Sequence, residues 1–281
     1  MNMKRFFVII LVFFVATGCG SGNQSNEKID FDNIKENKLT ESITSDKKTN
    51  KKLTVYFLDI SGSFNKIQEN LSEVTETVNY FELACDEIID HIENRMVIGK
   101  ECIIIKKIQS NSFLDDAQFL KIDLSSDKYS FSEKKPEHDM KMKGYEKRRR
   151  IFNEKAFKEA TVEKLETIKR IEAFKEHYKN NSSGETDIIN ALNSIKFDLS
   201  DVQYQRHDFY ICIYSDFQET TKKDGLKNIE IDLGGINIVG RYVSKNNFTS
   251  LDEYKSNIED WKNVLKCNSL EFLTPDQCIK Y

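Results

Sequence analysis

Short apolar runs alternate along this chain with longer segments in which apolar residues recur every three or four positions. Runs of the first kind fit β-strands, and the longer pattern fits amphipathic helices. The predicted strands are 53–58, 101–108, 118–124, 208–214, 235–243 and 269–273. Apolar strands that alternate with helices favour an α/β sandwich, because a mostly parallel sheet is covered by helices on both faces.

Three segments refine this prediction. The loop 111–116 is too short for a helical crossover, so the two strands that it joins should be antiparallel. From Phe64 to Ile92 the apolar residues recur in steps of three and four, which predicts one long helix. Residues 125–185 are polar and charged, with a helical pattern from about Tyr145, and are expected to form a helical insertion of one or two helices. Short helices are predicted at 186–195 and 251–265.

The N-terminus has the features of an export signal. Lys4 and Arg5 precede an apolar block, 6–16, that is too short to span a bilayer as a helix. Ala16-Thr17-Gly18-Cys19 resembles the lipobox of bacterial lipoproteins, which implies a signal peptide at 1–18, a lipidated Cys19 and an envelope location at a membrane. An uncleaved anchor and ordinary secretion are the alternatives. Residues 19–52 have the composition of a flexible tether, which leaves 53–281 as the folded domain.

Charge and cysteine content exclude some functions. The net charge of −4 gives no general attraction for nucleic acid, and export argues against it as well. The spacing of the cysteines does not match a zinc site. Cys85, Cys102 and Cys212 lie in apolar patterns and are expected to pack as small hydrophobes. Cys267 and Cys278 flank the last strand and could pair in an oxidising compartment, although spacing cannot establish the geometry.

Polar residues with metal-binding chemistry follow two of the predicted strands. Asp59, Ser61 and Ser63 come after the first strand, and Asp216 comes after the strand 208–214. In a mostly parallel sheet, the carboxyl ends of the strands lie at the edge where ligands bind. Carboxylate and hydroxyl oxygens suit Mg²⁺ or Mn²⁺. Thr186 belongs to the same set but could instead be a helix N-cap, and Asp216 could be a solvated strand end.

The order Asp59-x-Ser61-x-Ser63, Gly184-x-Thr186 and Ser215-Asp216 resembles the metal-ion-dependent adhesion site of von Willebrand factor type A domains. This resemblance implies a three-layer α/β/α, Rossmann-like fold with one antiparallel edge strand. It implies that Ser61 and Ser63 bind the metal directly, Thr186 directly or through water, and Asp59 and Asp216 largely through water. Many members have glycine after the second aspartate, where this chain has Phe217.

The function that the resemblance implies is metal-dependent binding of a protein ligand, which is expected to offer a carboxylate to the metal, without catalysis. A structural subunit of an envelope assembly, with a degenerate metal site and contacts through the helical insertion, is an alternative. A magnesium-dependent phosphatase is a weaker one, because Ser61 stands where a haloacid-dehalogenase-like enzyme needs a second aspartate.

A basic run at 147–150, with further lysines between 134 and 143, allows two interpretations. It could bind anionic lipid headgroups or an acidic partner, or it could be an ordinary solvated helix face.

Overall fold

A six-stranded sheet organises the chain in a computed structural model that describes residues 50–65, 67–71, 74–112, 118–179, 181–221, 226 and 229–278. The predicted signal peptide, Cys19 and nearly all of the predicted tether lie outside these residues. No helix within the described ranges is long and apolar enough to cross a membrane.

The described strands are β1 (Lys51–Asp59), β2 (Ile67–Leu71), β3 (Val74–Val78), β4 (Glu101–Ile108), β5 (Gln118–Asp123), β6 (His207–Tyr214), β7 (Ile231–Asp232), β8 (Asn237–Arg241), β9 (Leu265–Lys266) and β10 (Ser269–Leu273). The described α-helices are α1 (Gly62–Asn65), α2 (Tyr80–Asp90), α3 (Asp139–Tyr178), α4 (Ile188–Ser200), α5 (Leu251–Val264) and α6 (Pro275–Cys278). A π-helical turn, His91–Arg95, extends α2.

The strand order of the main sheet is β10-β8-β6-β1-β4-β5, with β1 in the interior. All neighbours are parallel except β4 and β5, which form the predicted antiparallel edge. Side chains on one face of the sheet pack with α2 and α3, and those on the other face pack with α4 and α5. The predicted fold class is therefore confirmed: a mostly parallel sheet between helical layers, with one antiparallel edge strand.

The prediction of one helix from Phe64 to Ile92 is wrong. After the single turn of α1, residues 67–71 and 74–78 pair as the antiparallel strands β2 and β3, and the helix starts only at Tyr80. The residue types between 74 and 78 favour a strand, because valine and threonine are branched at Cβ. Asn79 fixes the helix start, since its side chain accepts a hydrogen bond from the amide of Glu82.

Within the predicted insertion, the structure has one continuous helix of 40 residues, α3. Its C-terminal part packs on the sheet layer through a buried stripe: Ala156, Ala160, Thr167, Ile171 and Phe174. The ring of Phe174 stacks on that of Phe119 from β5, with centroids 3.9 Å apart. This stripe explains why so polar a sequence forms a stable helix in this protein, because packing rather than propensity supplies most helix stability.

All five cysteines in the described part of the chain are free thiols. Cys85 and Cys102 are buried among apolar side chains, as the sequence predicts, and Cys212 is half-buried. The Cys267 and Cys278 sulfurs lie near two different carbonyls, those of Ser269 and Leu273, and do not form the disulfide that their spacing allowed.

A buried polar network ties the amino ends of β1 and β4 to the end of α2. Glu101 is 3% exposed, and its carboxylate lies 3.1 Å from both Lys52 Nζ and His91 Nε2. His91 bonds through its other ring nitrogen to the hydroxyl of Tyr56. Burial raises the pKa of Glu101, but hydrogen bonds and charges from His91 and Lys52 outweigh it and lower the pKa to about 2.

We expect Glu101→Gln to flatten the acid dependence of stability. Because the folded pKa of Glu101 lies below its unfolded value, its contribution is complete above about pH 4.5 and is lost as the pH falls towards about 2. The wild type should lose up to about 3 kcal/mol more than the variant over this window. Urea unfolding at a series of pH values measures this difference, and parallel profiles for the two proteins would contradict it.

Candidate metal centre

Two of the predicted metal-binding segments, 59–63 and 215–216, meet at the carboxyl edge of the sheet. Asp59 is the last residue of β1, and Ser215 and Asp216 directly follow β6. These two strands are parallel neighbours, with Leu58 opposite Tyr214, so the next residues of both strands leave the sheet side by side. The hydrogen-bond register of the sheet thus brings together residues that lie more than 150 positions apart in sequence.

Asp59 is held in a fixed orientation by two neutral donors. Its Oδ1 accepts a hydrogen bond of 2.8 Å from the amide of Ser61, and its Oδ2 accepts one of 2.6 Å from the hydroxyl of Ser215. The Ser215 oxygen in turn accepts from the amide of Phe217 at 3.0 Å. Ser215 was not among the predicted ligands. A hydroxyl residue directly before the second aspartate was the signal that could have identified it.

The negative charges of Asp59 and Asp216 repel each other. Asp59 and Asp216 are both wholly buried, which excludes the expectation that Asp216 is a solvated strand end. Burial raises the pKa of Asp59, and the negative charge of Asp216 raises it further, against the lowering effect of the hydrogen bonds from Ser215 and Ser61. A cation between the two carboxylates would relieve this repulsion.

The two serines after β1 present adjacent hydroxyls. Ser61 Oγ lies 3.1 Å from Ser63 Oγ; Ser61 is buried and Ser63 is exposed. The loop is paired with the chain that follows α3: the amide of Gly62 donates to the carbonyl of Ser183, and the amide of Ser183 donates to the carbonyl of Ile60. Sequence reasoning missed this pairing, which attaches the end of the helical insertion directly to the site.

Thr186 is buried, and its backbone forms hydrogen bonds with Thr220 in the loop after β6. Its amide donates to Thr220 Oγ1 at 2.7 Å, and its carbonyl accepts from the amide of Thr220 at 3.1 Å. It is not the N-cap of α4, because Asp187 takes that role by accepting from the amide of Asn190. The side chain of Thr186 therefore has no capping function to explain its position.

Together these bonds connect the segments 59–63, 183–187 and 215–220 into one assembly. The predicted set offers two carboxylates and three hydroxyls, oxygen ligands that fit Mg²⁺ or Mn²⁺. In the described ranges no group of three or more histidine, cysteine, aspartate or glutamate side chains could hold a metal ion. The candidate set has only two such residues, Asp59 and Asp216, since its other members are hydroxyls.

Phe217 occupies a position where many type A domains have glycine, and its backbone has a conformation that is typical of glycine. Its φ is 60°, in the left-handed region that glycine adopts without steric cost. The ring is wholly buried and packs edge-on against Trp261 and Phe272. Its carbonyl accepts hydrogen bonds from Trp261 Nε1 and from Asn257 Nδ2, at 2.9 and 3.1 Å. Packing against α5 and β10 thus stabilises a conformation that the residue type disfavours.

Neither of two comparisons with known proteins identifies a relative. No protein-family model matches the chain, and no curated protein matches it. The likeness to type A domains therefore depends on the order of the oxygen-bearing residues and on their placement at the sheet edge.

Gly240→Ala should destabilise the protein through Phe217. A Cβ at Gly240 would lie 2.6 Å from Phe217 Cε2 and 2.9 Å from Phe272 Cδ1, well inside van der Waals contact. We expect a loss of about 1–3 kcal/mol in the free energy of unfolding, as for other overpacked cores. Denaturant unfolding measures the loss, and adding Phe217→Leu should restore part of it.

Gly235→Ala is the matched control for that substitution, because a Cβ there meets nothing within 4 Å. It should leave the free energy of unfolding nearly unchanged. Equal stability of the Gly240→Ala and Gly235→Ala proteins would show that the close contact between position 240 and the Phe217 ring does not constrain the loop after β6.

Proposed function

We propose that this protein is a bacterial envelope lipoprotein whose type A-like domain binds a protein partner through a divalent cation, without catalysis. The cation is Mg²⁺ or Mn²⁺, and its binding site consists of Asp59, Ser61, Ser63, Thr186 and Asp216. Cys19, outside the described residues, is the lipidation site. The observation that carries the proposal is the pair of wholly buried carboxylates, Asp59 and Asp216, at the carboxyl edge of the sheet, together with the adjacent hydroxyls of Ser61 and Ser63, of which that of Ser63 belongs to an exposed residue.

The residues of the proposed site would have different roles in binding the cation. Ser61 and Ser63 would ligate directly. Asp59, oriented by Ser215 and by the amide of Ser61, and Asp216 would act largely through water and supply the negative charge. A cation facing two carboxylates and neutral hydroxyls remains an acceptor for a further anion. Because Ser63 is exposed, the open side of the site is available to a carboxylate of a partner protein.

A non-catalytic role is supported by the position two residues after Asp59. A phosphatase of the haloacid-dehalogenase type needs a general acid at that position, and Ser61 cannot donate a proton with comparable acidity. Hydrolysis of a generic phosphate ester that is lost in Asp59→Asn would contradict this part of the proposal.

Metal binding should stabilise the fold. At about one hundred times the dissociation constant, Mg²⁺ or Mn²⁺ should add about 3 kcal/mol, which corresponds to several degrees in the melting temperature. Asp59→Asn should abolish this response. In EDTA above about pH 7 the same variant should melt above the wild type, because burial and the charge of Asp216 raise the pKa of Asp59 to about 7 and the substitution removes the charge that the carboxyl carries above it.

Glu101→Gln is the control for the metal experiment, because Glu101 is also a buried carboxylate but lies at the opposite, amino end of the strands. It should change the melting temperature while keeping the full response to Mg²⁺. Identical melting of the wild type in EDTA, Mg²⁺ and Mn²⁺ would refute the metal site.

Partner binding is tested by crosslinking and capture from native membranes, with Mg²⁺ or with EDTA. Capture that needs both the cation and Asp59 supports metal-dependent binding. Capture that survives EDTA but is lost when residues 130–180 are deleted favours the alternative, a structural subunit that contacts its partners through α3.

A further inference from the structure

Residues 131–151 form a basic arm, which consists of the chain that leads into α3 and the first three turns of that helix. Between residues 133 and 150 it has eight lysines and arginines against four acidic residues, in a chain whose net charge is −4. Most of its residues are exposed. The arm is therefore an isolated region of positive charge on an otherwise acidic protein.

The arm has its own small apolar cluster. The ring of Phe131 contacts those of Tyr145 and Phe152, with centroids 5.5 and 5.4 Å away. Arg148 binds the carboxylate of Glu133 in a bidentate ion pair, with nitrogen to oxygen distances of 2.8 to 3.0 Å. These contacts attach the incoming chain to the helix and give the arm a defined shape.

The arm extends beyond the amino edge of the sheet. Lys164 Nζ donates to the carbonyl of Met96, just before β4 begins, while Lys179 pairs with Glu82 near the start of α2. The helix thus runs from the amino edge towards the metal site at the carboxyl edge. At 1.5 Å per residue, Met140 lies about 35 Å along the helix from Lys164, on the side away from that site.

The same edge is where the described chain begins. Asn50 immediately precedes β1, and Lys51 Nζ lies 3.4 Å from Asp127 Oδ1 in the segment that leads to the arm. The predicted tether therefore enters the domain on the side of the basic arm.

The outer face of the arm combines cations with exposed apolar groups. Opposite the buried Tyr145, the helical spacing places Lys143, Lys147 and Arg150 on one face, all of them exposed. On the same side, Met140 is 97% exposed and Ile151 is 53% exposed. A helix that presents lysine and arginine beside apolar side chains suits the headgroup region of an anionic bilayer.

We propose that the basic arm binds the surface of an anionic membrane and turns the metal site away from it. A bilayer fits better than an acidic protein or a nucleic acid, because burial of the exposed Met140 and Ile151 side chains among lipids is favourable. The predicted tether also enters the domain at this edge. Binding of the arm to the membrane does not depend on metal binding, whereas the orientation of the metal site rests on the proposed function.

The test uses residues 20–281, which lack the predicted lipid anchor and retain every described residue. Co-sedimentation with vesicles of phosphatidylcholine and phosphatidylglycerol should exceed that with phosphatidylcholine alone. Replacing Lys143, Lys147 and Arg150 together by glutamine should lower partitioning about a hundredfold, at about fivefold for each cation. Met140→Ser with Ile151→Ser should also lower it.

The matched control replaces Lys158, Lys169 and Arg170 by glutamine, which removes the same charge from exposed positions further along α3. It should keep nearly wild-type partitioning. Equal losses in the two triple variants would overturn the proposal, since they would indicate a response to net charge alone. Equal binding to both vesicle types, or binding to soluble polyglutamate or nucleic acid without binding to vesicles, would overturn it as well.

Discussion

The repulsion between two wholly buried carboxylates is the constraint on which the rest of the site depends. Asp59 and Asp216 end adjacent parallel strands, so the sheet itself forces them together. Burying a charge is costly, and burying two like charges close together is more so. The surrounding hydrogen bonds from Ser61 and Ser215 fix the orientation of Asp59 but do not remove its charge. An arrangement that sacrifices stability in this way, at the edge where ligands bind in such sheets, is one of the observations that support the proposed cation site.

The loops around this pair are constrained from several sides. Ser183 pairs with the loop after β1, Thr220 pairs with Thr186, and the carbonyl of Phe217 is held by Trp261 and Asn257. The contacts come from the segment after α3, from the loop after β6 and from α5. A site held in this way is preorganised, so little conformational entropy is lost when a ligand binds. The left-handed backbone of Phe217 fits this account, because packing in the core offsets its local cost.

The sheet and the position of the two aspartates could be predicted from sequence because both depend on local patterns. Buried strands have continuous apolar runs, and parallel strands end at a common edge. The strands β2 and β3 could not be predicted, because their apolar spacing also matches a helix. Only the residues branched at Cβ near Val74 favour a strand. Ser183 and Thr220 were missed for another reason. Their roles depend on hydrogen bonds between segments distant in sequence, which no single segment reveals.

The direction of α3 separates the candidate metal site from the basic arm. The chain after its C-terminus includes Ser183 at the candidate site, and its basic N-terminal turns extend past the opposite edge of the sheet. Because the arm is positive and the chain as a whole is negative, the remainder of the protein is more acidic than its net charge of −4 indicates. An anionic bilayer would attract the arm and repel that remainder, and both forces turn the molecule the same way. Membrane contact and partner capture would then use opposite edges of one sheet and would not compete.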